Sequence, residues 1–395
     1  MNGPFWLALK YVVYNRWKFC VLVACVFLTA FLPITIKLLL NQFSQKILAR
    51  GVSTPLIVGA VGSDLDLTLN TIYYHAKSPG EIPFGEVRQI RESKLATAIP
   101  IMSRFTASGF PVVGTTLDYL SFRQLEFESG ESFAMLGDCV VGASVARRLK
   151  VSVGDRVFSD RKSAFDIAGV GPLKLLITGV LAPRGTADDE AIFVDLKTVW
   201  VIAGLGHGHQ DLADETDELK VLSREKNTIV ASPAVVPYIE VTDENRESFH
   251  FHGNPDDFPL TAIIAVPVDE KSSTLLQGHY VDGIDEFQIV RPLEVIENLM
   301  SMIFRVKRFF DANAILIAGS TALLLGLVVL LSLQLRRREM QTMFKIGCNR
   351  STMMWMQFGE MTLVFLAASV LVAATTWVVG YYGEDWIVSY FMQSR

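Results

Sequence analysis

Cysteine is scarce in this chain: Cys20, Cys25, Cys139 and Cys348 are the only four. No C-x-x-C pair or Cys/His zinc spacing joins them. Two lie in an apolar run near the amino terminus and one in a basic connector near the other end. Only Cys139 is left in the large polar middle region, so no internal disulfide framework can form there. Charge is scarce too. Only 19% of residues are charged, and the net charge is −5. The basic residues sit beside apolar runs instead of forming a face, which argues against nucleic acid as a partner. No G-x-x-x-x-G-K-[ST] loop occurs, so ATP is not bound in that way. G-x-S-x-G and H-E-x-x-H are also missing. Gly142-Ala143-Ser144-Val145-Ala146 comes near the former, but its fifth position is Ala and no base can be assigned to Ser144. No catalytic residue and no cofactor are expected.

What the chain does have is long uncharged runs. Phe19–Leu40 and Ala312–Leu335 are two, and a third occupies 359–382, uncharged from Met361 to Tyr382. About 20 apolar residues let a helix cross the ~30 Å hydrocarbon layer. Helix is the default there because the backbone must satisfy its own hydrogen bonds. The expected fold is a membrane protein of three transmembrane α-helices, with a large α+β extracytoplasmic domain between the first and second. Residues 1–18 read as a cytoplasmic segment, with Trp6, Tyr11, Tyr14 and Trp17 among Lys10, Arg16 and Lys18, an interfacial mixture. Residues 19–40 are read as an uncleaved anchor, being longer than a signal-peptide core. A short tail, 383–395, is placed outside.

The connector at 336–358 is the informative piece. Arg336, Arg337 and Arg338, with Lys345 and Arg350, mark a cytoplasmic loop by the positive-inside bias. Arg305, Lys307 and Arg308 pull the other way, but long translocated segments escape that bias. Met340, Met343, Phe344 and Gly347 share one helical face. Gly347 suits a helix stop, and Asn349 or Ser351 a cap for the next helix. Such a helix can dock into a groove on a soluble partner, where methionine adapts well. It can equally lie on anionic lipid.

These residues carry a family resemblance. Arg336-Arg337-Arg338-Glu339-Met340, then Phe344-Lys345-Ile346-Gly347-Cys348-Asn349-Arg350, resembles the coupling connector of FtsX/MacB-like ABC transporter permeases. Pro55–Gly62, Phe110–Thr115, Val140–Leu149 with Val153-Gly154-Asp155, and Ile177–Pro183 resemble the MacB-type periplasmic core domain. The resemblance implies a permease subunit with no catalysis of its own. It implies a separate cytoplasmic ABC ATPase as partner, gripping Arg337, Glu339, Met340, Met343, Phe344, Gly347 and Arg350. A homodimer or paired permease in the bacterial inner membrane, surrounded by lipid and with its large domain in the periplasm, is implied too. The substrate class would be lipid, lipoprotein, peptide or drug-like. The alternative within the family is FtsX-like mechanotransmission to an outer partner such as a cell-wall hydrolase. The family normally has a fourth span, so either a three-span variant or a truncated chain is expected.

Residues 41–291 form the outer domain, with an inserted lobe near 132–200 and a polar loop at 204–258. Strands are expected at Pro55–Val61, Thr97–Met102, Phe110–Gly114, Cys139–Gly142, Leu173–Leu181, Ala191–Asp195, Pro237–Val241, Thr261–Val266 and Phe287–Val290. Helices are expected at Phe84–Ser93 and Ser144–Leu149. Thr115-Thr116-Leu117-Asp118 reads as a turn. Residues 292–311 read as a stalk helix running into the second span. Ala314, Ala318, Ala322 and Gly326 repeat small residues every fourth position, a pattern that lets helices approach closely in lipid. His207, His209, His250 and His252 are weak candidate metal ligands. Alternation along a strand would put His250 and His252 on one face. Histidine in a solvated loop needs no ion to explain it, and no resident metal is expected.

Overall fold

The computed structural model describes residues 3–75, 77, 80–160, 172–208, 221–225, 228–231, 239–282, 286–335, 341–342, 344–345, 347 and 349–393. They fall into two compact units, Met1–Lys46 with Leu299–Arg395, and Ile47–Asn298.

The first unit is helical. Three helices are long and apolar enough to span a bilayer, with spanning windows in Arg16–Val52, Asp311–Val328 and Met354–Tyr381. The parent helices are Arg16–Val52, Pro292–Leu335 and Arg350–Gln393. The stalk and the second span are therefore one unbroken helix, and the third helix continues past Tyr382 to Gln393. Leu22 and Val23 of the first long helix are buried with Val364 and Ala368 of the third, and Leu325 and Val328 of the second pack against them. Thr29 and Thr321 share a 2.9 Å hydroxyl hydrogen bond between the first and second helices. The amino-terminal segment is itself a helix, Gly3–Tyr14, packed on the third long helix where Gly359 faces Ala8. Lys10 lies 5.5 Å over the Trp6 ring and Lys18 5.6 Å over Tyr11, cation–π pairings suited to an interface. Lys18 also reaches the buried Glu360 carboxylate at 2.9 Å.

The second unit is built on a ten-stranded mixed sheet. Its order is Phe287–Val290, Leu56–Ala60, Ala262–Pro267, Ala96–Ala107, Phe110–Thr115, Ile192–Asp195, Asp138–Val141, Lys174–Leu181 and Phe127–Gly130, with Arg156–Phe158 also paired to Lys174–Leu181. The central strands are apolar throughout because both faces are covered. Cys139 and Val141 enter one core while Val140 enters the other; Ile192 and Val194 oppose Phe193 in the same way, and Ile263 and Ala265 oppose Ile264. This is the two-residue alternation of a strand. Val87, Ile90, Val145, Val199, Leu276 and Tyr280 from helices seal the first face. Tyr74, Tyr119 and Leu120 seal the second.

The strand expectations are met, apart from 237–241, where residues 237–238 lie outside the described set and Glu240 makes one isolated bridge to Lys174. One expectation is corrected. Thr115-Thr116-Leu117-Asp118 is not a turn; Thr115 ends its strand and Leu117–Phe122 is a helix. Leu120 and Tyr119 turn inward there, and their burial outweighs the turn chemistry of the local residues. The strands from 132–200 continue the same sheet as the rest of the domain. The polar stretch 204–258 contains a two-stranded ribbon, Gly206–His207 with His250–Phe251, and a hairpin, Val221–Glu225 with Thr228–Ala231.

Candidate functional site

Of the connector, Arg336–Met340, Met343, Ile346 and Cys348 lie outside the described residues, so Arg337, Glu339, Met340 and Met343 are not placed. Phe344 is exposed. Gly347 donates its N–H to Phe344 O at 3.0 Å and has φ +97, a left-handed backbone that glycine adopts without a Cβ penalty. It is the stop the sequence suggests. Asn349 follows as the cap: its side-chain oxygen accepts from Ser351 N at 3.4 Å and its carbonyl from Thr352 N at 3.1 Å. Arg350 then begins the third long helix. The tight turn and the cap together fix where the chain re-enters helix.

The small-residue face is open within the chain. Ala314 is half-buried, while Ala318, Ala322 and Gly326 are exposed. A Cβ on Gly326 would meet nothing within 4 Å. The second helix uses Thr321, Leu325 and Val328 for its intrachain contacts instead.

Among the described residues, a heavily bonded polar centre was not legible in the sequence. It lies at the last turn of the helix Arg16–Val52. Arg50 and Asp188 are 8% and 3% exposed and form a bidentate pair, Nη1 to Oδ2 at 2.6 Å and Nη2 to Oδ1 at 2.8 Å. Arg50 Nε donates to Ile72 O at 2.7 Å, and Nη2 also reaches the Tyr74 and Tyr119 hydroxyls at 3.0 and 3.1 Å. The Tyr74 and Tyr119 hydroxyls lie 2.6 and 3.0 Å from Asp188 Oδ1 and also meet each other; with one proton apiece they fill at most two of these three contacts, at least one of them to the carboxylate. Burial pushes the Asp188 carboxyl up, but the Arg50 hydrogen bonds and charge prevail and hold it at about 2. Burial raises both tyrosine hydroxyls, and the Asp188 charge adds to it. They stay neutral and act as donors.

The same turn is fastened twice more. Arg123 donates to Ser53 Oγ at 2.9 Å and Thr54 Oγ1 at 2.7 Å. Gly51 lies against the start of the helix Pro292–Leu335. A Cβ there would stand 2.7 Å from Ile296 Cδ1 and 3.5 Å from Leu293 Cα, so any larger residue requires the end of the Ile296 side chain to move. A buried charged pair whose polar atoms are engaged is costly to break. Within the second unit, these contacts link the turn at Arg50–Thr54 to Asp188, both tyrosines and Arg123, and to Leu293 and Ile296.

The histidines do converge. His207 is the cross-strand partner of His250, and His252 lies on the same strand face as His250. Their ring centroids are 4.9, 4.9 and 4.8 Å apart. One nitrogen from each lies within 4.8 Å of the other two. His209 lies outside the described residues.

The description "MacB-like periplasmic core domain" matches residues 34–236, and "FtsX-like permease C-terminal" matches residues 313–394. Among solved structures, the extracellular domain of the ABC-type transporter YknZ from Gram-positive bacteria is similar at 10% identity, covering 60% of this chain and 98% of its own, with a TM-score of 0.33. The periplasmic region of MacB from Actinobacillus actinomycetemcomitans is similar at 10% identity, covering 65% and 98%, with a TM-score of 0.35. No curated protein matches the chain.

Proposed function

The chain belongs to the FtsX/MacB-like ABC transporter permeases, a family of transport components and generally not of enzymes, and from that premise we propose that it is the membrane subunit through which a separate cytoplasmic ATPase drives the outer domain. The ATPase grips the connector at 336–358, with Phe344 as the apolar anchor and Arg337, Glu339, Met340, Met343, Gly347 and Arg350 around it. Its closure on ATP tilts or shifts the long helices. All three extend well beyond a bilayer: 37, 44 and 44 residues at ~1.5 Å each give roughly 55, 65 and 65 Å, against a core of ~30 Å. The observation that carries this reading is the exposed Phe344, set between one long apolar helix and the Gly347–Asn349 turn that starts the next.

The substrate would be lipid, lipoprotein, peptide or drug-like, handled by the domain in the periplasm. The protein would work in the inner membrane as a homodimer or with a related permease. Phe344→Asp places a charge in the middle of the docking face. It should abolish co-purification of the ATPase while membrane insertion stays intact; unchanged co-purification would refute the docking role. The tight fastening at Arg50 and Gly51 suits an FtsX-like mechanical output as well. Accumulation of a cargo molecule in a deletion strain favours transport, whereas loss of activity of an outer hydrolase favours signalling.

A further inference from the structure

The histidine ribbon is unlike the polar stretch around it. Its two strands have opposite faces of different chemistry. Gly206 and Gly208 alternate with His207, and Phe249 and Phe251 alternate with His250 and His252. A Cβ on Gly206 would meet the Phe251 ring at 2.6 Å, and one on Gly208 the Phe249 ring at 2.6 Å. The glycines therefore admit the two phenylalanines across the ribbon, the way a cross-strand aromatic covers a glycine in a sheet.

Phe249 and Phe251 pack on the main core. Phe251 lies 6.1 Å from Phe258, which stacks edge-on with Trp200 at 4.9 Å. Phe258 and Trp200 are 4% and 5% exposed. One face of the ribbon is thus anchored in rigid aromatic packing. The opposite face carries three imidazoles, with His252 exposed.

Further bonds set the rings. His252 N donates to Leu205 O at 3.0 Å, which extends the ladder beyond the His207–His250 pair. His250 Nδ1 lies 3.0 Å from Ser248 O. A carbonyl only accepts, so Nδ1 carries the proton and Nε2 the lone pair. Metal-binding histidines are commonly held in this way, one nitrogen on a backbone carbonyl and the other on the ion.

We propose that His207, His250 and His252 form a binding site for a zinc-type divalent cation on the outer domain, with three imidazole ligands and a fourth position open. Imidazole favours Zn²⁺, Cu²⁺ and Ni²⁺ over Mg²⁺ and Ca²⁺, which take oxygen. Tetrahedral zinc at Zn–N of about 2.0–2.1 Å sets its nitrogens roughly 3.3 Å apart. The side-chain rotations needed to close from the present spacing are small, and an exposed His252 is able to make them. Three protein ligands leave room for water or a donor atom from a bound molecule.

The test is a titration of the full-length protein in detergent with Zn²⁺ by calorimetry, and with Co²⁺ by visible absorption. Wild type should take up one ion per chain, with the intense absorption of four-coordinate cobalt. His252→Ala should weaken uptake at least about tenfold, and His207→Ala with His250→Ala should abolish it. His75→Ala and His279→Ala, remote in sequence, should leave it unchanged. Circular dichroism without metal checks folding of each variant. His252→Gln replaces His252→Ala if alanine disturbs the fold, and should lose the site equally. No uptake by the wild type, or equal uptake by the variant lacking His207 and His250, overturns the proposal.

Discussion

At the scale of single residues, Arg50 and Asp188 dominate. Each is nearly devoid of water, and each is satisfied only while the other is present. Asp188→Asn or Arg50→Met should each destabilise the protein by about 3–5 kcal/mol, since either leaves a buried charge without its counterpart. Replacing both, Arg50→Met with Asp188→Leu, should cost clearly less than the sum. Denaturant unfolding of the full chain, followed by tryptophan fluorescence, measures both. The pair also sets an acid limit. Asp188 sits at about 2 in the folded protein against 3.8 ordinarily, so the unfolded chain takes up that proton first. The stabilisation is therefore complete above about pH 4 and falls away as pH drops toward 2. Asp188→Asn should lose less stability than wild type across that window. None of this was readable beforehand: a lone arginine at the end of a helix reads as solvated, and its partner lies 138 positions away. The histidines were partly readable, because alternation alone puts His250 and His252 on one face. The strand that supplies His207 is joined to them only by folding.

At the scale of elements, legibility followed the kind of side chain. Strands such as Ile192–Asp195 and Ala262–Pro267 are short runs of apolar residues, many β-branched, and the folded chain uses them as such. Helices were missed where pattern and propensity misled. Asp64–Tyr73 buries Thr68, Asn70 and Thr71 beside Leu67 and Ile72, so its inner face does not look apolar. Leu196–Ala203 is rich in Val and Ile and resembles a strand, but Asp195 caps its start and Gly204, at φ +88, closes its end. The contact between the helix ends at Gly51 yields a prediction of its own. Gly51→Leu should force Ile296 and Leu293 outward and destabilise by about 1–3 kcal/mol, measurable as a lower thermal midpoint. Gly51→Ala should have a smaller effect of the same sign.

At the scale of the whole molecule, the exposed stripe Ala318, Ala322 and Gly326 is the surface that the proposed pairing with a second copy or a related permease would use. Small residues in lipid favour close helix packing, because hydrophobicity gives no drive to associate there. Ala318→Cys or Ala322→Cys should give a disulfide-linked dimer in oxidised membranes. Leu316→Cys, on the opposite face and also exposed, should not. Equal cross-linking of both faces would mean collision, not a seam. The three long apolar helices and the large domain between the first two were readable from the apolar runs; the continuity of stalk and span was readable from the lack of proline between Leu293 and Leu335.

The Arg50 fastening also bears on engineering. An outer domain of this chain grafted onto a foreign membrane unit at a junction beyond Arg50 would carry Asp188, Tyr74 and Tyr119 without the arginine they bind. Hybrid permeases should therefore fold only when the graft begins on the membrane side of Arg50, so that arginine, aspartate and both tyrosines come from the same parent.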